Sequence, residues 1–523
     1  MDTAASSADY NIAEKRHSGH DHFANVKYGY IVLFLSFAYI VYRELALVYY
    51  GRAWRRSGRS TSKIGLVDVP MVYYVTFLSL AVVILSFFNL NLDNFVIHIK
   101  RWGRIAYSLT PLDIFLSIRP SPFRLDNYLS TLKLHIWTSR VILILCLAHS
   151  VGFLWLWGSA ELYKALRLVN FVGVVISVLV LGLFIINWGH IRRRVYRWFY
   201  FFHNVTAYAL IVAIAYHARP KVWPIAFIDA VLIVYQLVVK FRSMQTIQIS
   251  DVLCREGSDL KLVKIPGPLS PEVYLSGSHC RLGESRTSAY FWMFPSHPYT
   301  LTGVVDTGDG SMNLVVKEQK FQIVPLKEYT LQPYFPSALG PNFFHTAENI
   351  NIVCGGSGIS YGIPIFEYFK KKKQDGSSDI KLKFVWITPK RNDIFVLEEL
   401  GITGVDVYVT DPADSEEGEN YELESLQNVG GGEEQEQEER EGKIDPFADP
   451  NTDQSSTNTE FLTNTIHSSG RPNLVNSLAN NMGATIDYAN NWVIACGPEG
   501  LIEECRVLAK AHNSRFFSEE YDV

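Results

Sequence analysis

The sequence predicts a multi-pass α-helical membrane domain followed by a cytosolic module that joins a small β-barrel to an α/β domain. Three observations carry this reading. Seven apolar stretches crowd the first 241 residues, short β-like runs separated by Gly, Pro and Ser follow, and strand–glycine turn–helix units occupy the remainder. Composition agrees, with 48% hydrophobic and 19% charged residues, against about 25% charged in soluble domains. The same apolar content excludes general disorder. Six cysteines without a C-x-x-C pair exclude a disulfide scaffold or zinc ribbon.

The apolar stretches lie at about 27–49, 69–90, 104–120, 133–157, 168–186, 197–217 and 222–241, and a spanning helix needs roughly 20 such residues. The stretch 104–120 carries Pro111, Asp113 and Arg119, so six spans are the alternative to seven. Residues 1–26 form a polar tail without a signal-peptide pattern. Its His17, His20 and His22 read as solvated, with a metal ion at the outer face as the alternative. Basic residues orient the bundle. With the N-terminus outside, inward loops carry twelve Lys and Arg and outward loops seven, Lys100, Arg101 and Arg104 among the latter. Everything after residue 241 is then cytosolic.

Four histidines hold the strongest chemical signal. His135 and His149 lie on the fourth stretch, His203 and His217 on the sixth, and both separations are 14 residues. Fourteen residues make almost four helical turns, so each pair faces one side of its helix, about 21 Å apart. Both helices run from inside to outside, which sets His135 level with His203 and His149 level with His217. Two stacked bis-histidine haems fit this pattern, because haem iron accepts axial imidazoles and a metal ligand justifies a polar ring in hydrocarbon. Four unrelated hydrogen-bonded histidines are the alternative. Arg140, between the two ligands of the fourth stretch, reads as a haem-propionate partner or a snorkelling arginine. Asp229 reads as a buried hydrogen-bonded residue.

After residue 242 the runs TIQISDVLC, LKLVKIPG, YFWMFPS and MNLVVKE read as strands of a small barrel. Ile350–Cys354 reads as a buried strand, Gly355–Ser360 as a glycine-rich turn and 361–373 as a helix; such a turn lets backbone N–H groups approach a pyrophosphate. KFVWITPKR ends in Lys390 and Arg391, DVYVT (406–410) adds a strand, and a turn at Cys496-Gly497-Pro498 joins a last strand to a helix. Ligands are expected at the carboxyl ends of these strands. Residues 411–460 hold 17 acidic residues and two basic ones and read as a disordered insertion, a solvated loop.

The paired histidines, HPYT (His297-Pro298-Tyr299-Thr300), GGSGIS, GRP (Gly470-Arg471-Pro472) and CGP, in this order, resemble the ferric-chelate reductase and NADPH oxidase superfamily. The chain is similar to its shorter fungal members, often described as probable metalloreductases. The resemblance implies a ferric reductase-type bis-haem core at about 101–219 within a transmembrane domain 27–241. It further implies a ferredoxin-reductase-like module, with an FAD-binding barrel 242–345 and an NADP-binding α/β domain 346–523. It makes His135, His149, His203 and His217 the ligands of two b-type haems, and His297, Pro298, Tyr299 and Thr300 the flavin motif, with the aromatic ring near the isoalloxazine. Gly355, Gly356, Gly358 and Ser360 become the pyrophosphate loop; Lys390, Arg391 and Arg471 become partners of the NADPH 2′-phosphate. Cys496, Gly497 and Pro498 lie beside the nicotinamide, Cys496 positioning it. Gln332-Pro333-Tyr334-Phe335 stands where the family carries Gly-Pro-Tyr-Gly, and no glycine-tryptophan-threonine segment occurs around 317–330.

The expected activity is NADPH-driven transmembrane reduction of Fe(III) or Cu(II) chelates. A superoxide-generating NADPH oxidase is the first alternative, and a non-catalytic membrane relative that lost flavin chemistry is the second. No nucleic-acid partner is expected, and the plasma membrane is favoured over the endoplasmic reticulum. The net charge of −4 then resolves into an acidic insert and a membrane region whose 23 basic and seven acidic residues make it strongly cationic.

Overall fold

A computed structural model describes residues 26–46, 71–123, 128–158, 161–219, 221–265, 276–304, 312–317, 321–335, 337, 339, 341–376, 380–411, 463–467, 470–479, 481 and 490–519. His17, His20, His22 and all but the first residue of the acidic insert lie outside these residues. The first half is helical: α1 (Val26–Ala46), α2 (Met71–Phe87), α3 (Val96–Ser108), α4 (Thr110–Ser117), α5 (Tyr128–Trp157), α6 (Leu168–Ile186), α7 (Gly189–Arg194), α8 (Tyr196–His217) and α9 (Trp223–Ser243). Among the described residues α1, α5, α6, α8 and α9 are long and apolar enough to cross a membrane, and α2 is apolar but shorter. Phe34, Val178, Val212 and Phe227 point outward and exposed, an arrangement that suits lipid and is costly in water.

The weakest expected span is built differently. In place of one helix over 104–120, α3 and α4 meet at Leu109. Pro111 lacks an N–H and disfavours helical geometry just before it, so it opens α4, where the missing donor costs nothing. Ile99 meets the far end of α5 and Asp113 its near end, through His149 and His135. The broken helix therefore runs antiparallel along α5. Lys100, Arg101 and Arg104, expected in an outer loop, lie on α3 instead. Buried Arg101 donates to the carbonyls of Phe88 (2.6 Å) and Leu85 (3.3 Å), and His98 Nδ1 lies 3.2 Å from the Ser86 carbonyl. These side chains satisfy carbonyls at the open end of α2.

Seven antiparallel strands follow: β1 (Gln245–Gln248), β2 (Asp251–Cys254), β3 (Leu260–Ile265), β4 (His279–Glu284), β5 (His297–Val304), β6 (Met312–Lys317) and β7 (Glu328–Phe335), in the order β1-β7-β4-β5-β6-β3-β2. Ile247, Val263, Leu282, Leu301, Leu314 and Leu331 from six of them share one core, so the sheet curls into a barrel. YFWMFPS, expected as a strand, instead contributes most of helix α10 (Ala289–Met293). The Ser288 side chain accepts the Tyr290 N–H at 3.2 Å, a helix cap that an apolar run alone does not reveal.

After α11 (Pro341–Thr346) come β8 (Asn349–Gly355), α12 (Ile359–Gln374), β9 (Lys381–Thr388), α13 (Phe395–Leu400), β10 (Asp406–Val409), β11 (Thr465–His467), α14 (Leu474–Ala479), β12 (Asn491–Cys496), α15 (Glu499–Ala511) and β13 (Arg515–Glu519). The strands are parallel in the order β11-β10-β9-β8-β12-β13. The direction of winding reverses between β8 and β12, the place where such sheets bind ligands. Phe366 and Phe369 of α12 share a core with Leu260, Leu262 and Val315 of the barrel. The two soluble units therefore pack as one body around α12. The fold is thus a helical transmembrane region followed by a ferredoxin-reductase-like module.

Candidate functional site

The histidines meet in two pairs. The His135 and His203 rings lie 6.3 Å apart between centroids, and those of His149 and His217 also lie 6.3 Å apart. Helices α5 and α8 are therefore parallel, as the equal 14-residue spacings predict. Two imidazoles bound to opposite sides of one metal at about 2.0 Å per bond stand about 6 Å apart between ring centres. Three of the rings use Nδ1 elsewhere: His149 with the Ile99 carbonyl (2.7 Å), His217 with that of Val169 (2.8 Å), and His135 with that of Asp113 (3.0 Å). Nε2 is left for a metal, the usual division of labour in a ligating imidazole. These residues fit two haems.

Two glycines create the space around the distal pair. A Cβ on Gly103 would fall 2.9 Å from His149 Nδ1, and one on Gly173 would fall 2.5 Å from His217 Cε1. Each glycine stands four residues after the carbonyl its histidine uses, Ile99–Gly103 on α3 and Val169–Gly173 on α6. In a helix the residue at i+4 covers the carbonyl of residue i, so a missing side chain there opens that oxygen to a second donor. Sequence reasoning missed this repeated spacing, and it was legible. Arg140 is exposed over the Trp137 ring, the lipid-facing arrangement. Asp229 is buried and accepts from Thr110 Oγ1 at 2.7 Å.

The near pair adjoins the soluble module. Trp198, five residues before His203, lies edge-on to Phe294 at 5.7 Å, and Arg197 stands over the Tyr290 and Phe294 rings. Tyr290, Phe291, Phe294, Phe321 and His297 line a small crevice in the barrel, about 10 Å³ in volume, room for about one water molecule. The four flavin-motif residues divide along β5. His297 stacks on Phe321 (4.5 Å), Pro298 pairs in register with buried Arg281, and Thr300 is buried opposite His279. The Tyr299 ring packs on the barrel core, so the aromatic of the motif that lines the crevice is His297. Burial, with Arg281 and Arg197 nearby, lowers the His297 pKa to about 4, so its ring is neutral at pH 7.

The glycine loop and the CGP turn come together at the winding reversal. β8 and β12 pair in parallel with Cys354 opposite Cys496. A Cβ on Gly355 would fall 2.8 Å from Pro498 Cδ, and one on Gly358 would fall 2.8 Å from the Cys496 carbonyl carbon. Gly356 has φ +51 with open space beside it, a conformation that favours glycine. Buried Trp386 of β9 donates to the Gly356 carbonyl at 3.0 Å and ties the loop down. Ser360 is buried in the first turn of α12. Burial pushes the Cys496 thiol well above its usual range, so it stays protonated at neutral pH.

The expected phosphate partners stand at the surface, two of them in ion pairs. Lys390 pairs with Asp259 of the barrel at 2.6 Å, and Arg471 pairs with Glu504 at 2.5 Å. Arg391 opens the short turn after β9, partly exposed. Asp393 accepts from Ser258 Oγ at 2.6 Å and from the Asp259 N–H at 3.1 Å, so this corner clamps the α/β domain to the barrel.

Residues 102–214 match the family described as "Ferric reductase like transmembrane component", and residues 347–510 match "Ferric reductase NAD binding domain". A protein named "Probable metalloreductase AIM14" from Scheffersomyces stipitis is 35% identical over 98% of this chain and 98% of its own. Proteins of the same name from Clavispora lusitaniae and Candida dubliniensis are each 34% identical, over 97% and 98% of this chain and 98% and 99% of their own. The chain belongs to the ferric reductase family. It is a multi-pass membrane oxidoreductase in which NAD(P)H drives electron transfer across the membrane. Among solved structures, a ferredoxin NADP+ reductase from Neisseria gonorrhoeae covers 53% of this chain and 98% of its own at 11% identity and TM-score 0.34. The strand order, not this likeness, defines the fold.

Sequence reasoning also missed Glu519. It pairs in register with Cys496 across β12 and β13, is buried, and acts electrostatically on the thiol. Nothing in the sequence distinguishes it from its neighbour Glu520, because only strand register selects it. Burial raises its pKa from the ordinary 4.5 to about 7. The folded chain therefore holds this proton more tightly than the unfolded one. That stabilisation is complete below about pH 4.5 and is lost as pH rises through about 7, up to about 3 kcal/mol. Glu519→Gln is expected to melt higher than the parent at pH 8 and level with it at pH 4.5, and to remove a step near pH 7 from the NADPH oxidation rate. Parallel melting curves at all pH values would refute the buried-carboxylate reading.

Proposed function

We propose that this chain carries electrons from cytosolic NADPH, by way of FAD and two b-type haems, to Fe(III) or Cu(II) chelates on the opposite side of the membrane. The observation that carries the proposal is the two matched histidine pairs, at one ring separation and 14 residues apart on parallel helices. When bound, the flavin splits a hydride into single electrons, and the haems carry single electrons through hydrocarbon. The residues supply the rest. Cys496, Gly497 and Pro498 shape the nicotinamide side of the glycine loop, and Trp386 holds that loop. Trp198 and Phe294 join the helix of the near histidine pair to the barrel face that carries His297. Each histidine pair would hold one haem through both of its imidazoles, and the group would supply single electrons to an acceptor that does not bond to its metal. Oxygen can be reduced the same way, which makes superoxide formation the competing outcome.

The test uses sealed vesicles containing the full chain, with NADPH on the side of the soluble module. The expected result is a reduced b-type haem spectrum on NADPH addition and Fe(II) formed from an impermeant Fe(III) chelate on the other side, well in excess of superoxide. Superoxide as the main product would instead favour the oxidase. A haem signal that appears with dithionite but never with NADPH and FAD would favour the non-catalytic relative.

A further inference from the structure

The two histidine pairs sit in unequal electrostatic settings. In the distal pair both Nδ1 atoms face neutral backbone carbonyls, of Ile99 at 2.7 Å and Val169 at 2.8 Å. In the near pair, His135 Nδ1 lies 3.0 Å from the Asp113 carbonyl and also 3.0 Å from its carboxylate Oδ1. Ser139, one turn along α5 from His135, donates to both carboxylate oxygens at 2.9 and 2.8 Å. His203 Nδ1 is buried and has no hydrogen-bond partner among the described residues. Asp113 is thus the charged acceptor on the near pair, and the distal pair has no counterpart at its Nδ1 atoms.

A carboxylate that accepts from a ligating imidazole draws on the Nδ1 proton and raises the electron density at Nε2. The ring becomes a stronger donor and favours the oxidised metal, whereas a neutral carbonyl does so less. We propose that Asp113, acting through His135, is a positioning residue that sets the potential of the near haem below that of the distal haem. Electrons then move downhill away from the soluble module. Ser139 moderates the effect, because its one hydroxyl proton, shared between the two carboxylate oxygens, spreads their charge. The inference rests on the bis-histidine haem reading and goes beyond it by assigning an order to the two sites.

The experiment is a redox titration of the haem absorbance of the full chain, comparing the parent with Asp113→Asn and Ser139→Ala. The parent is expected to resolve into a lower and a higher midpoint. Asp113→Asn should raise the lower midpoint and leave the higher one in place, changing the partition of an electron between the sites by about tenfold, which is about 59 mV for a one-electron couple. Ser139→Ala should lower the lower midpoint. Opposite signs from two substitutions at one contact are not produced by a loss of packing. If Asp113→Asn fails to load the near haem, the Ser139→Ala shift decides alone. Unmoved midpoints, or movement of the higher one, overturn the role of Asp113. Absence of any b-type spectrum in the parent overturns the haem reading instead.

Discussion

His149→Ala is expected to reduce the haem content from two per chain to one and to abolish reduction across the membrane. The ring it removes is fixed on three sides: by the Ile99 carbonyl at 2.7 Å, by the Gly103 backbone that a Cβ would close, and by its partner His217 at 6.3 Å. Alanine supplies no ligand, and the remaining imidazole holds the metal from one side only. Losing even an outer-shell partner of a metal ligand costs about 10–100-fold in affinity or activity, so loss of the ligand itself should take vesicle turnover to background. NADPH oxidation with a soluble dye should persist, because the glycine loop and the CGP turn lie in the other half of the chain. Undiminished transmembrane reduction would remove His149 from the distal site.

Gly358→Ala should damage the nucleotide half as selectively. Gly358 has φ −61 and ψ −15, ordinary helical values, so alanine meets no conformational penalty there. The obstacle is steric: its Cβ would sit 2.8 Å from the Cys496 carbonyl carbon and 3.2 Å from Sγ. Cys496 ends a strand paired on both sides and cannot withdraw cheaply. Overpacking of this kind costs about 1–3 kcal/mol, and here the displaced atoms belong to the CGP turn, the proposed nicotinamide site. NADPH oxidation is expected to fall at least tenfold with the dithionite-reduced haem spectrum intact. Gly356→Ala is the comparison. Its Cβ enters open space but its φ is +51, a left-handed backbone that costs about 1–2 kcal/mol for other residues. Equal loss of NADPH oxidation in both variants would show that contact with Cys496 is not what Gly358 serves.

What could be read from the residues follows a physical rule. The haem-ligand candidates were legible because two helices of regular pitch turn a spacing of 14 into a common face, and no tertiary information is needed for that step. The strand–glycine–helix units were legible for the same reason: turn chemistry is local. Failures occurred where local sequence is ambiguous or where distant segments decide. The apolar run around Phe291 fits strand or helix equally, and a single serine cap tips it to α10. The crossing near 104–120 was mislocated because hydropathy discounts a charged helix. Arg101 and His98 are spent on the end of α2, which only the packed structure shows. The ion pair between Lys390, the strand-end phosphate candidate, and Asp259, 131 residues earlier, is likewise visible only in the packed structure.

The sequence by itself determined a membrane half and a soluble half, with four histidines on two helices and a glycine-rich loop between strand and helix, while the oxidoreductase class came from the resemblance carried by its ordered motifs. Those features rest on short-range periodicity, which the backbone imposes wherever the chain folds. The tertiary structure alone decided that the histidines pair ring to ring, that Asp113 reaches one pair and backbone carbonyls the other, and that the glycine loop closes against Cys496 with Glu519 beside it. These are contacts between segments from 22 to well over 100 residues apart. They depend on how helices and strands pack in three dimensions, and no local pattern encodes them.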